Sequence, residues 1–312
     1  MKTPLLSIII PTYNRPQLLP RAVESALAQT VEDIEVIVVD DASPEPVQLS
    51  EHPKLRVIRL PINSGGSVAR NTGAKAAKGR WISFLDDDDT LLPHMAEVSL
   101  AALAQTDLPK PVALLSGIKV VNEKGEFIKK RIPPTLPKGS HFQMEKIAKG
   151  KSFRCKQTMV VERDVLLSIG GFDESFRSRV HSDLFLRLNS VCSILGIPDI
   201  TYKLYKHGGS QVTKDITLRQ VSFDRLMEKH QSIFKQHPKE LAKFIFEHAH
   251  RCYQLGQESG QTDEALFTIL GAISWGMRLA PEHTLSRLTD LLEHPEAWYK
   301  PSQPKRELIE QI

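Results

Sequence analysis

Trp81-Ile82-Ser83-Phe84-Leu85-Asp86-Asp87-Asp88-Asp89 is the stretch on which the reading of this chain turns. Its first five residues are aromatic or apolar around one serine, without turn formers, which predicts a buried strand. Four carboxylates then follow without a break. Adjacent like charges raise one another's pKa and destabilise the fold unless a cation or hydrogen-bond donors compensate. Hard oxygen ligands of this kind suit Mg²⁺ or Mn²⁺, and Mg²⁺ is commonly held by one or two carboxylates together with substrate phosphates. Read by itself, the run is either such a site or a solvated acidic turn ahead of a helix that opens near Leu92-Pro93.

Working back toward the N-terminus, strand and helix signals alternate as a parallel α/β layer requires. Ser7–Ile10 reads as a first strand ending in the turn Pro11-Thr12-Tyr13-Asn14-Arg15-Pro16. Gln17–Gln29 is an amphipathic helix, with Leu18, Leu19, Val23, Ala26 and Leu27 at helical spacing. Ile34–Val39 is a second buried strand ending in Asp40-Asp41, and Leu55–Leu60 is a third. The glycine-rich turn Asn63-Ser64-Gly65-Gly66-Ser67 leads into a small-residue helix over Val68–Lys78. Ligands of open parallel sheets bind beyond the carboxyl ends of the strands. Pro11–Tyr13, Asp40-Asp41 and Asp86–Asp89 all fall at such ends.

Working forward, a helix over Pro93–Ala104 precedes strands at Val112–Ser116 and Ile118–Val121, then an irregular proline-containing linker from Pro133 to Gly139. Met159–Glu162 reads as a strand, Val165–Ile169 as a short helix, Ser182–Val191 as a helix and Tyr202–Tyr205 as a last strand. From Leu218 the signals are almost wholly helical, which predicts a domain over residues 1–217 and a helical subdomain over 218–312. Ala265–Leu279 is apolar on most faces, which predicts burial against neighbouring helices.

The 312 residues are 41% hydrophobic and 25% charged, an ordinary composition for a globular protein. No apolar run approaches the ~20 residues of a membrane span, and the N-terminus lacks a signal-peptide pattern. Cys155, Cys192 and Cys252 have no metal-ligand spacing and read as reduced structural thiols, so a cytoplasmic location is expected. Twelve of the Lys and Arg residues but only three acids lie between Lys110 and Lys156. That basic region is either a solvated loop or a surface for a phosphate-bearing acceptor or an anionic membrane leaflet, giving peripheral contact at the inner membrane face. Without interleaved aromatics or a recognisable binding motif, nucleic acid is not an expected partner.

The chain resembles the family 2 glycosyltransferases over residues 5–213. Ser7–Arg15 resembles the family's opening strand and donor-base turn, and Val38–Ser43 its second motif. Asn63–Gly73 and Phe84–Asp89 resemble the third motif and the metal motif, and Gly170-Gly171-Phe172-Asp173-Glu174 a later signature near the acceptor. The resemblance implies the GT-A (nucleotide-diphospho-sugar transferase) fold, a Rossmann-like mixed α/β sheet flanked by helices, here with a C-terminal helical subdomain. It implies an inverting, Mn²⁺- or Mg²⁺-dependent transferase moving a sugar from a nucleotide donor to a glycan or lipid-linked acceptor in cell-surface polysaccharide synthesis. Pro11, Thr12, Tyr13 and Asn14 would then form the donor turn, with Tyr13 stacked on the base. Asp41 would accept the imide N–H of uracil or thymine, which suits a UDP- or dTDP-sugar. Arg70 would reach the donor's phosphates or base, Asp86 or Asp87 the ribose, Asp88 the metal, and His207 the metal or phosphate.

Inverting transfer also needs a base for the acceptor hydroxyl. The family's Glu-Asp pair is absent from Ser178-Arg179-Val180-His181-Ser182-Asp183-Leu184-Phe185-Leu186-Arg187-Leu188. An ungapped match to Leu-x-Leu-Arg-Leu places His181 at the base position, and a match shortened by two residues places Asp183 there. Asp183 is favoured here because the family's usual base is a carboxylate. Two further readings compete: a nucleotide-sugar-binding protein on the same fold without turnover, and a nucleotidyltransferase. The lack of a glycine-rich, basic triphosphate loop near the N-terminus argues against the second.

Overall fold

A computed structural model describes residues 3–141, 147–206 and 215–294. Its described residues form two compact units, one on each side of residues 207–214. The first unit opens with β1 (Leu6–Thr12), α1 (Leu19–Leu27), β2 (Ile34–Asp40), β3 (Leu55–Arg59), α2 (Gly66–Ala76) and β4 (Trp81–Phe84). β5 (Thr90–Leu91), α3 (Met95–Gln105), β6 (Val112–Asn122) and β7 (Phe127–Arg131) come next. A 3₁₀ turn (Lys156–Thr158), β8 (Val160–Glu162), α4 (Arg163–Ser168), α5 (Val180–Val191) and β9 (Ser193–Lys206) complete it.

These strands make one mixed sheet in the order β3-β2-β1-β4-β8-β6-β9-β5, with β7 also paired to β6. β1 is parallel to both β2 and β4, and β2 to β3. β8 runs antiparallel to β4 and β6, while β6 and β9 are parallel. Every residue of β1 and β2 is buried, as expected for parallel strands with helices on both faces. One face packs Ile8, Ile10 and Val36 against Leu19, Ala22 and Met95 of α1 and α3. The other packs Ile9, Ile37 and Phe84 against Ala69, Leu166 and Leu184 of α2, α4 and α5.

Three elements depart from the sequence reading. The two strands expected around Ser116-Gly117 are one strand, β6, whose pairing with β9 shifts register at Leu115–Ile118. Thr158 makes that irregularity tolerable: the Ser116 N–H donates to its Oγ1 at 3.0 Å, and Oγ1 donates back to the Ser116 carbonyl at 3.0 Å. The short strand expected at Tyr202–Tyr205 is the end of the 14-residue β9.

The second unit consists, among its described residues, of α6 (Ile216–Lys229), α7 (Gln231–Gln236), α8 (Pro238–Ser259), α9 (Thr262–Leu279) and α10 (Pro281–Glu293). α9 packs on α6, α8 and α10 through Ala265, Thr268, Ala272, Trp275, Gly276 and Leu279. Its Leu266, Phe267, Leu270 and Met277 are exposed, so the expected burial of most of its faces holds for one side alone. No helix among the described residues is long and apolar enough to cross a membrane.

Candidate active site

Parallel pairing aligns the carboxyl ends of β1, β2 and β4, with Thr12 beside Asp40 and Ile9 beside Phe84. The turns that follow therefore meet at one edge. The Thr12 hydroxyl donates to Asp87 Oδ2 at 2.7 Å, across 75 residues of sequence. Arg15 donates through Nη1 to both Asp87 Oδ1 at 2.8 Å and Asp88 Oδ2 at 2.7 Å. Arg21 of α1 donates to the Asp88 carbonyl at 2.6 Å and lies over the Tyr205 ring at 3.8 Å. Arg70 of α2 donates to Asp86 Oδ1 at 2.6 Å. Compensation of the aspartate run is thus divided among several side chains.

The four aspartates sit in different surroundings. Burial works to raise Asp86, but Arg70, His181 and Arg15 together outweigh it and hold that carboxyl below its usual range. Burial wins at Asp87 and raises it despite Arg15. Asp89 is pushed up to about 8 by burial and by the charges of Asp86 and Asp88. Its oxygens accept from the Tyr202 hydroxyl at 2.9 Å and the Tyr205 N–H at 2.8 Å, which fixes the aspartate run to β9.

Tyr13 is 46% exposed at the lip of this edge. Pro11 pairs with Val39 one residue before the end of β1, and Asn14, at φ 52°, donates its N–H to Ser43 Oγ at 2.9 Å. Asp41 is buried, and its two oxygens accept the backbone N–H groups of Ser64 at 2.8 Å and Gly65 at 2.7 Å. It anchors the glycine-rich turn, where Gly65 has φ +92° and an added Cβ would meet Arg177. Each Asp41 oxygen retains a second lone-pair direction.

Asn71 locks α2 to the Gly170-Gly171-Phe172-Asp173-Glu174 turn. Its Oδ1 accepts from the Phe172 N–H at 2.8 Å, and its Nδ2 donates to the Phe172 carbonyl at 2.8 Å and to Glu174 Oε1 at 2.9 Å. Gly171, at φ +65°, leaves no room for a Cβ beside Asn71 Oδ1. Asn71→Leu should cost about 3 kcal/mol, the penalty for burying unpaired backbone groups, and denaturant unfolding followed by circular dichroism checks it. An unchanged midpoint would remove Asn71 from the lock.

The two candidate bases are placed differently. Asp183 is fully buried, and its Oδ2 accepts from Arg187 Nε at 2.9 Å and Nη2 at 2.7 Å. Arg187 also donates to the carbonyls of Ile169 at 2.7 Å and Gly171 at 2.8 Å. His181 is half-buried and packs edge-on against Phe172 with centroids 5.6 Å apart, and Phe172 lies in turn against Phe84 and Arg70. Burial and the Arg70 charge push its pKa down, against the opposing pull of Asp86, so the imidazole is neutral at pH 7. His207 lies outside the described residues.

Two hard carboxylates already converging on one cationic group, as Asp87 and Asp88 do on Arg15, fit a divalent ion completed by ligand and water oxygens. Among the described residues no group of three His, Cys, Asp or Glu side chains could hold an ion by itself.

Residues 7–170 match the family described as Glycosyl transferase family 2. The chain belongs to that family. This glycosyltransferase is similar to an uncharacterized glycosyltransferase of Haemophilus influenzae, 30% identical over 237 residues that make up 74% of this chain and 79% of that protein. It is 28% identical to a chondroitin synthase of Escherichia coli over 70% of its own length, spanning 31% of that larger protein. The crystal structure of S. aureus TarS 1-349 in complex with UDP-GlcNAc superposes with a TM-score of 0.61 at 20% identity, covering 94% of this chain and 87% of that one. The GT-A fold expected from the sequence is therefore the fold of this glycosyltransferase.

The structure thus gathers Thr12, Tyr13, Arg70, Asp86, Asp87 and Asp88 at one edge with His181 close to Arg70 and Asp86, and encloses Asp183 with Arg187. The sequence reading gave no role to Arg15, Arg21 or Asn71. A basic residue two positions after Tyr13, in a turn facing an acidic one, was the available signal for Arg15.

Proposed function

We propose that this glycosyltransferase moves a sugar, with inversion, from a UDP- or dTDP-sugar to a glycan or lipid-linked acceptor in surface polysaccharide synthesis. The observation that carries the reading is the junction at the sheet edge, where Arg15 bridges Asp87 and Asp88 beside Thr12 and an open Tyr13. Relatives named as a chondroitin synthase and a succinoglycan biosynthesis protein support a polysaccharide product, and TarS in complex with UDP supports the donor class.

Tyr13 stacks on the base, and Asp41, through its remaining lone pairs, takes the imide N–H while still holding the glycine-rich turn. Asp87 and Asp88 would hold Mg²⁺ or Mn²⁺, and the ion would supply charge neutralisation of the leaving diphosphate. Arg70 positions Asp86 for the ribose. His181 takes the proton of the acceptor hydroxyl as that oxygen attacks the anomeric carbon, in place of Asp183, whose carboxylate is committed to Arg187; the bound donor's diphosphate, an anion beside it, offsets the burial and the Arg70 charge that otherwise lower its basicity.

Calorimetric titration with UDP and dTDP, each with and without Mn²⁺, tests the donor site. Metal-dependent binding that Asp88→Ala weakens at least ~tenfold is expected, the loss of one strong ligand interaction. Binding indifferent to metal would remove Asp88 from an ion site. Failure of both nucleotides to bind the folded wild type would overturn the donor assignment.

A further inference from the structure

The cations of the first unit differ in how they are balanced. Arg15, Arg59, Arg70 and Arg187 each form an ion pair with an aspartate. Lys129, Arg131, Arg154 and Lys206 form none with any described residue. Pairing register brings three of these four to one place. Arg131, Ile118 and Tyr202 make one row across β7, β6 and β9, Lys129, Val120 and Leu204 make the next, and Lys206 follows beside Asn122. Residues aligned in register, and those two apart along a strand, share a face of the sheet. Lys129, Arg131 and Lys206 therefore lie on the face from which the Tyr202 hydroxyl reaches Asp89.

Arg154 joins them from the loop before the 3₁₀ turn, where its carbonyl accepts from Arg131 Nη1 at 3.2 Å. The charges act on one another. Burial and then the neighbouring Arg131, Lys206 and Arg154 lower the Lys129 pKa, and burial and then Arg154 lower that of Arg131. Asp89 is a carboxylate that acts on Arg131, and it is already engaged by Tyr202 and Tyr205.

Gathering four like charges, with an already engaged Asp89 as the nearby carboxyl, is unfavourable, and an anion from outside relieves it. The number of cations suits a multiply charged phosphate or diphosphate better than a single carboxylate, and arginine forks match phosphate geometry. Arg131 is half-buried beside the aspartate run, where a discrete anionic group reaches it and a flat bilayer surface does not. The group also lies on the β6–β9 half of the sheet, with β4 and β8 between it and the turns of Tyr13 and Asp41.

We propose that Lys129, Arg131, Arg154 and Lys206 form an anion subsite that holds a phosphate or diphosphate carried by the acceptor. The assignment to the acceptor rests on the glycosyl-transfer reading; the anion subsite itself does not.

The test uses the full chain saturated with UDP and Mn²⁺, with farnesyl diphosphate as the soluble probe. The wild type should bind the probe, and Arg131→Gln with Arg154→Gln should weaken that binding at least ~tenfold, as removing hydrogen bonds to a charged group does. UDP affinity should stay unchanged, and Lys110→Gln with Lys124→Gln, outside the group, should leave both ligands unaffected. No probe binding by a wild type that binds UDP overturns the subsite. An equal loss of UDP and probe in the arginine variant overturns the acceptor assignment and gives these cations to the donor. Binding to phosphatidylglycerol vesicles without binding to the soluble diphosphate overturns it in favour of a membrane surface. A wild type that binds the probe in an arginine-dependent way but never binds UDP supports the subsite and overturns the glycosyl-transfer reading instead.

Discussion

Replacing Asp183 with alanine should destabilise the first unit by about 3–5 kcal/mol, the cost of stranding one partner of a buried ion pair. Its carboxylate is fully enclosed, and the Arg187 guanidinium it holds also ties down the carbonyls of Ile169 and Gly171. Without Asp183, Arg187 keeps its charge amid those groups with no anion to balance it. The loss should appear as a lower midpoint in urea unfolding, while protein that stays folded at low temperature keeps its affinity for UDP. Asp183→Asn, which retains an accepting oxygen, should recover part of the stability. An Asp183→Ala protein of wild-type stability but without turnover would return Asp183 to the role of base.

His181→Ala should show the converse pattern. A positioned base contributes about 10²–10⁴ in rate, so kcat should fall by that order in a transfer assay. Unfolding should shift little, because His181 is half-buried and packs edge-on against Phe172. UDP affinity should hold within a few-fold, since His181 is assigned to the acceptor proton and not to the nucleotide. His181→Asp, which restores a proton acceptor at the same position, should recover part of the rate. Full turnover in His181→Ala would sink the assignment.

The two variants also measure how far the sequence could be read. Both base candidates stood in one helix, two residues apart, and their separation came from Arg187. An i,i+4 acid–arginine pair on a helix is a local signal, and Asp183 with Arg187 carried it. What the pattern lacked was burial, which turns a marginal surface pair into a structural one. The strand ends were legible for a different reason: Ile34–Val39 and Trp81–Leu85 are apolar runs, each with one polar residue (Glu35 and Ser83), stopped by aspartates, and parallel strands buried on both faces favour that pattern. β7 was not legible, because Phe127-Ile128-Lys129-Lys130-Arg131 is largely exposed and shows no alternation. Nor was the bridge from Arg15 to Asp87 and Asp88, which depends on parallel register between strands more than 70 residues apart.

The Asn71 lock has a bearing on how this chain reaches its working form. It joins α2 to a turn about 100 residues later, and Thr12 with Asp87 closes an overlapping loop of 75 residues. Such non-local contacts form after most of the chain has been collected, at the loop-closure entropy that slows folding. A fragment ending at Gly170 contains Asp86–Asp89 and the whole glycine-rich turn, but it lacks Phe172 and Glu174, the partners of Asn71, and leaves α2 without its brace. The strand ends that carry Thr12 and Asp87 and the Gly170–Glu174 turn thus depend on contacts that form only once most of the first unit is in place.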